Sequence, residues 1–179
     1  MAVPNGRASG FTLVELMIGI VIVAVLASLA MPSFLDTLRN SEVRNAAESI
    51  ANGLQRARAE AVSRNANVQF VLGAGSSWTV DYEVKPVAAD PPLDSRSSNE
   101  GSRNVTVAAL AVDGATAAST IIFNNLGQPK VGVPATDQLA RIDLAAPGAA
   151  TRLRVTIGVG GNARMCDPAV PAGTSTRAC

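Results

Sequence analysis

Gly10-Phe11-Thr12-Leu13-Val14-Glu15 joins a short polar leader to a long apolar run that carries one carboxylate almost at its start. From Leu16 to Phe34 no residue is charged. At helical rise such a run crosses a hydrocarbon core of about 30 Å. The chain therefore begins in a membrane. An acid just inside a spanning segment costs about 2.5–3.5 kcal/mol on insertion scales, so Glu15 needs a partner or a chemical purpose. Nothing nearby in the sequence supplies one.

Beyond the apolar run the helix continues. Pro32 removes a backbone donor and is expected to kink or loosen it there. Val43, Ala47, Ile50, Leu54, Ala57 and Ala61 then recur at alternating steps of four and three, which places them on one face. Glu42, Arg44, Glu48, Gln55, Arg56, Arg58 and Glu60 fill much of the remaining circumference. The stripe is rich in small residues, which suits close approach to a sheet. It reads as the core face of a domain helix.

The remainder reads as strands. Val68–Leu72 is followed by Gly73-Ala74-Gly75-Ser76-Ser77, and then Trp78, Val80, Tyr82 and Val84 alternate with polar residues, the pattern of a hairpin with one buried face. Residues 85–103, with Pro86, Pro91 and Pro92, read as a long loop. Further strands are expected over 105–112, 120–123, 140–144 and 153–159, with turn signals at Asn124-Asn125-Leu126-Gly127 and Ala146-Pro147-Gly148. Strands in succession after one long helix indicate an α+β fold, a long N-terminal helix packed on an antiparallel β-sheet head.

Formal charge is +1, so no strong global attraction to nucleic acid or anionic lipid is implied. The distribution is uneven. Residues 141–179 hold five arginines against Asp143 and Asp167, which makes the C-terminal third locally basic. Arg7 is the one cation of the leader, and the positive-inside rule then favours a cytoplasmic leader and an exported head. The two cysteines, Cys166 and Cys179, bracket a tail rich in proline, glycine, threonine and serine. With no histidine and two thiols a zinc site lacks ligands, so the reading is a disulfide, stabilising by about 3 kcal/mol for a loop of this size. There is no glycine-rich phosphate loop, nucleophile elbow or Cys-x-x-Cys pair, so no enzyme, cofactor or metal is expected.

The start of the chain resembles a type IV prepilin leader, with Gly10 as the last leader residue, Phe11 as the first mature one and Glu15 as the mature fifth. The resemblance implies that a membrane prepilin peptidase cuts between Gly10 and Phe11 and methylates the freed amine of Phe11. A general secretory signal is cut after its apolar run, whereas here the cut falls before it and the stem stays attached. The family also implies a role for Glu15 in assembly, registering an incoming subunit against an N-terminus already in the filament. The other reading of Glu15 is a side chain snorkelling at the membrane edge.

The long helix, the β head, Ile122-Phe123-Asn124-Asn125-Leu126-Gly127-Gln128-Pro129 and the approach to Gly161 and Cys166 look like the GspH/FimT group of minor pilins and pseudopilins. That resemblance implies four segments: a leader over 1–10, a transmembrane and filament-core segment over 11–34, its amphipathic continuation over 35–65, and a β-rich head with a C-terminal disulfide loop over 66–179. It implies a single-pass protein of the bacterial inner membrane with a periplasmic head, later part of a periplasmic pseudopilus or surface pilus. The implied partners are the prepilin peptidase, other pilins or pseudopilins, the inner-membrane assembly platform and the lipid bilayer. The machine stays open between a type IV pilus and type II protein secretion. Some FimT-like members resemble DNA receptors with a Gly-Arg-x-Arg element. Here Gly161-Asn162-Ala163-Arg164 lacks the first arginine, which weakens a DNA contact by Arg152, Arg154 and Arg164 against an ordinary solvated strand face. A membrane-tethered binding domain that never polymerises is the alternative of another class, and it has no need of Glu15.

Overall fold

The computed structural model describes residues 11–179. The chain separates into two compact units that meet between Thr37 and Leu38. One helix, α1 (Leu13–Arg64), enters both. In the first unit the large apolar side chains from Leu16 to Phe34 are each more than half exposed. A helix apolar around its whole circumference belongs in a membrane or a protein core. The helix is long and apolar enough there to span a bilayer. It passes through position 32 unbroken, so any bend introduced by Pro32 is absorbed within one continuous helix.

In the second unit, Val43, Ala47, Ile50, Leu54, Ala57 and Ala61 are all fully buried, joined by Ala46. This is the stripe that the three-and-four spacing selects. The helix stops at Asn65, whose φ of 50° is left-handed, and Ala66 N–H bonds back to the Ala61 carbonyl at 3.2 Å. That reversal satisfies a terminal carbonyl and turns the chain into the first strand.

Eight strands follow: β1 (Val68–Leu72), β2 (Trp78–Tyr82), β3 (Asp94–Arg96), β4 (Thr106–Ala111), β5 (Thr120–Phe123), β6 (Leu139–Ala145), β7 (Leu153–Ile157) and β8 (Ala163–Cys166). They form two four-stranded sheets, ordered β3-β2-β1-β5 and β4-β6-β7-β8, and every neighbouring pair is antiparallel. Both contribute to one core with the helix stripe. Gly53 sets how closely the first sheet approaches. A Cβ at that position would lie 2.9 Å from Phe70 Cε2 and Trp78 Cδ2. The Phe70 and Trp78 rings stack at 5.9 Å, and the buried indole N–H donates to Ser49 Oγ at 2.8 Å. Burial of a side chain the size of Phe70 or Phe123 contributes about 1.5–3 kcal/mol, and the satisfied indole adds no desolvation penalty.

Several boundaries differ from the sequence reading. β3 lies inside the expected 85–103 loop; its residues Asp94-Ser95-Arg96 carry no apolar alternation and are held by backbone pairing to β2. β2 ends at Tyr82, and Val84 is 80% exposed. Tyr82 closes the strand against the helix end, its hydroxyl accepting from Arg64 Nη1 at 2.8 Å. β7 ends at Ile157, because Gly158 N–H bonds the Asn162 carbonyl at 2.9 Å and turns the chain into β8. The loop after β5 is tied down by Glu83, which accepts from Lys130 and from Asn67. Those hydrogen bonds, Lys130 foremost, hold its carboxyl below the usual carboxylate range.

Candidate functional site

Two places carry the residues singled out by sequence. The first is the start of α1. Gly10, with the rest of the leader, lies outside the described residues, while Phe11 and Thr12 immediately precede the helix. Glu15 is not without a partner in its own chain. Its Oε2 accepts from the Thr12 backbone N–H and from the Thr12 hydroxyl, both at 2.9 Å. In return Glu15 N–H lies 3.3 Å from Thr12 Oγ1. This is a capping box: the residue before the helix and the third residue within it satisfy each other's terminal groups. The expectation that nothing nearby serves Glu15 is therefore corrected. The overlooked signal was in the sequence, because Thr12-Leu13-Val14-Glu15 is the Thr-x-x-Glu spacing of that motif.

The second place is the outward face of the β4-β6-β7-β8 sheet. Register puts Asp143 opposite Arg154 and Arg154 opposite Cys166, with Arg141, Thr156 and Arg164 forming the next row. Residues opposite one another share a face. Asp143 is the hub. It accepts from Arg154 Nε and lies 3.2 Å from Arg141 Nε, which is buried without an aligned hydrogen bond. Arg152 precedes β7 and is exposed. It borders a cleft of about 400 Å³ with Thr106, Ala108, Asp143, Arg154 and Pro168.

The tail closes the other side of this face. Cys166 and Cys179 are bonded, with Cα atoms 5.1 Å apart, inside the range a disulfide bridges. Arg164 Nη2 donates to the Thr176 carbonyl at 2.9 Å and the Ala178 carbonyl at 2.7 Å. Sequence reasoning rated a phosphate contact by Arg164 below an ordinary solvated strand face, and in the structure Arg164 donates to these tail carbonyls.

Arg152, Arg154 and Arg164 are thus brought to one region, but Arg154 serves Asp143 and Arg164 serves the tail. Among the described residues no cluster of three metal-ligating side chains occurs. Few free cations mean few displaced counterions, each phosphate contact adding about −0.9 to the slope of log affinity against log salt. The full-length protein in detergent should therefore bind labelled duplex DNA weakly at low salt, with a shallow salt slope. Tight binding that survives high salt and an Arg152/Arg154/Arg164 triple alanine substitution would contradict that reading of the face.

An apolar, capped stem helix that continues into a head as the spine of a β-sheet core defines a type IV pilin-like subunit. Residues 46–161 match the family described as Type II transport protein GspH, more than half of the chain, and the protein belongs to that family. Residues 5–31 match the prokaryotic N-terminal methylation motif. The type IV narrow pilus major component PilA5 of Thermus thermophilus is 29% identical over 110 residues, covering 56% of this chain and 95% of the relative. The crystal structure of the type IV minor pilin FimU from Pseudomonas aeruginosa superposes with a TM-score of 0.52 at 17% identity, covering 78% of this chain and 96% of that one. At that identity the likeness bears on the fold alone.

Proposed function

We propose that the chain is a minor pilin or pseudopilin that a prepilin peptidase cuts between Gly10 and Phe11 and methylates at the Phe11 amine. It is then assembled with other pilins at or near the tip of a type IV pilus-like filament. The observation that carries this is the apolar stem that opens on Glu15 within the matched methylation motif. Before assembly the stem crosses the inner membrane once, with the leader in the cytoplasm and the head in the periplasm, and Pro32 loosens it. The assembly platform extracts it into the filament. The family's role is structural, and the chain is the substrate of an enzyme. The segment bounds stay as 1–10, 11–34, 35–65 and 66–179.

A second reading, a pseudopilin of type II protein secretion, is favoured by the description of the matched family. Deleting the gene separates the two: loss of sheared surface filaments supports the pilus, and loss of secreted proteins with filaments intact supports the secretion machine.

Mass spectrometry of the membrane-extracted protein tests processing. The expected N-terminus is methylated Phe11, and Gly10 replaced by a bulkier residue should leave the leader attached, because the peptidase must approach the backbone closely at that bond. A wild-type N-terminus at Met1 or Ala2 would remove the pilin assignment.

A further inference from the structure

One carboxylate on the outward face of the first sheet holds an amine and an amide at once. Val68, Phe70 and Leu72 of β1 and Ile121 and Phe123 of β5 are buried, so Asn67, Gln69 and Ile122 fall on the outward side. Glu83 N–H donates to the Asn67 carbonyl at 3.0 Å, and Lys130 N–H donates to the Ile122 carbonyl at 2.8 Å. Ile122 in turn lies opposite Gln69. Backbone pairing thus sets Glu83, Asn67 and Lys130 on that one face, and their side chains meet there. Lys130 Nζ donates to Glu83 Oε1, and Asn67 Nδ2 donates to Glu83 Oε2 at 2.8 Å. The Glu83 and Lys130 side chains are 24% and 36% exposed, so the pair is packed against the sheet rather than loose in solvent. The chain has one other lysine, Lys85, and it is held by Asp81 at 2.8 Å.

We propose that Lys130 and Asn67 become joined by an isopeptide bond, formed by the folded chain itself with Glu83 carrying the protons. Glu83 Oε1 takes a proton from the Lys130 ammonium, and the Nζ lone pair then attacks Asn67 Cγ. Glu83 passes that proton to Nδ2, the Cγ–Nδ2 bond breaks, and ammonia leaves. The new Nζ–Cγ amide sheds its surplus proton through Glu83 to the ammonia. Nothing is oxidised or reduced, and no co-reactant enters. Free amines displace amides far too slowly to matter, but well-oriented reactants held together reach effective concentrations of about 10⁵–10⁸ M. Here one carboxylate brings the amine and the amide to its two oxygens. The hydrogen bonds that keep Glu83 ionised also make it a weak base, so the bond forms slowly. Its effect is mechanical, because it ties the start of β1, directly after α1 ends, to the loop after β5. This inference stands apart from the filament assignment, since it needs only the head.

The test is mass spectrometry of the purified full-length protein in detergent, followed over days of incubation. A growing fraction should be lighter by one ammonia, and its tryptic map should contain residues 65–96 joined to residues 104–141, with no cut at Lys130. Lys130→Arg keeps a cation for Glu83 but removes the attacking amine, and Glu83→Gln keeps an oxygen for Asn67 but removes the carboxylate that takes the proton. Neither variant should form the joined peptides. A wild-type chain that keeps its full mass and is cut at Lys130 throughout overturns the proposal. Loss of ammonia without the joined peptides would come from cyclisation at an asparagine, and it overturns the proposal too, as does a link that forms unchanged in Glu83→Gln. The wild-type map needs no variant, so it decides the matter even where a variant does not fold.

Discussion

Gly161→Ala should lower the stability of the head by about 3 kcal/mol or more, a fall in melting temperature of about 10 °C for a domain of this size. Two causes add. Gly161 has φ of +79°, and a Cβ there would sit 2.4 Å from the Gly127 carbonyl oxygen and 3.2 Å from Phe123 Cε1. Left-handed backbone alone costs a residue with a side chain about 1–2 kcal/mol. The carbonyl cannot move aside cheaply. It belongs to the turn after β5 and accepts from Arg58 Nε at 3.0 Å, so displacing it also breaks the tie between that turn and the helix. Gly173→Ala is the control: φ is +81° there, but nothing lies within 4 Å of an added Cβ. If the two alanine variants melt together, the contact between the β7–β8 turn and the β5 turn carries no stability, and the approach of Gly161 to Gly127 is not what fixes the corner of the head.

That corner shows where sequence reading stops. The Gly161 motif was noticed through its resemblance to a DNA-contact element, yet its reason in this fold is the backbone of Gly127, far away in sequence. The buried face of α1 was legible because a period of three and four residues is a property of one element. Burial of Trp78 and Val80 in β2 followed in the same way from alternation. Which strands pair is a long-range matter, so the separation into two sheets, and the placement of β5 beside β1, were not written in any local pattern. β3 and β8 were missed because Asp94-Ser95-Arg96 carries no apolar residue and Ala163-Arg164-Met165-Cys166 is only four residues long, too short for its alternation to stand out; backbone partners hold both. The roles of the arginines depend on Asp143 and the tail carbonyls, partners that become neighbours only once the second sheet has formed. The Cys166–Cys179 bond could be reached from composition, since the tail offers each thiol one other thiol.

Glu15→Ala should leave membrane insertion and leader cleavage intact while removing the protein from sheared filaments almost completely. The capping box makes the interpretation sharper than that single variant allows, because Glu15 now has two separable duties. As a cap it accepts from the Thr12 N–H and hydroxyl, a contribution of about 1 kcal/mol to the helix start. As a charge in a medium of low dielectric it would attract the Phe11 amine of a neighbour far more strongly than it could in water. Glu15→Gln keeps an oxygen for Thr12 and loses the charge. If charge pairing drives assembly, the glutamine variant should be as absent from filaments as the alanine one. Thr12→Val, which deletes the hydroxyl but spares the backbone N–H and the carboxylate, should then assemble at a level within a few-fold of wild type. Filament recovery scored by quantitative mass spectrometry distinguishes the cases. Normal incorporation of Glu15→Gln together with loss of Thr12→Val would mean that the carboxylate serves its own helix and that subunit registration lies elsewhere on the stem.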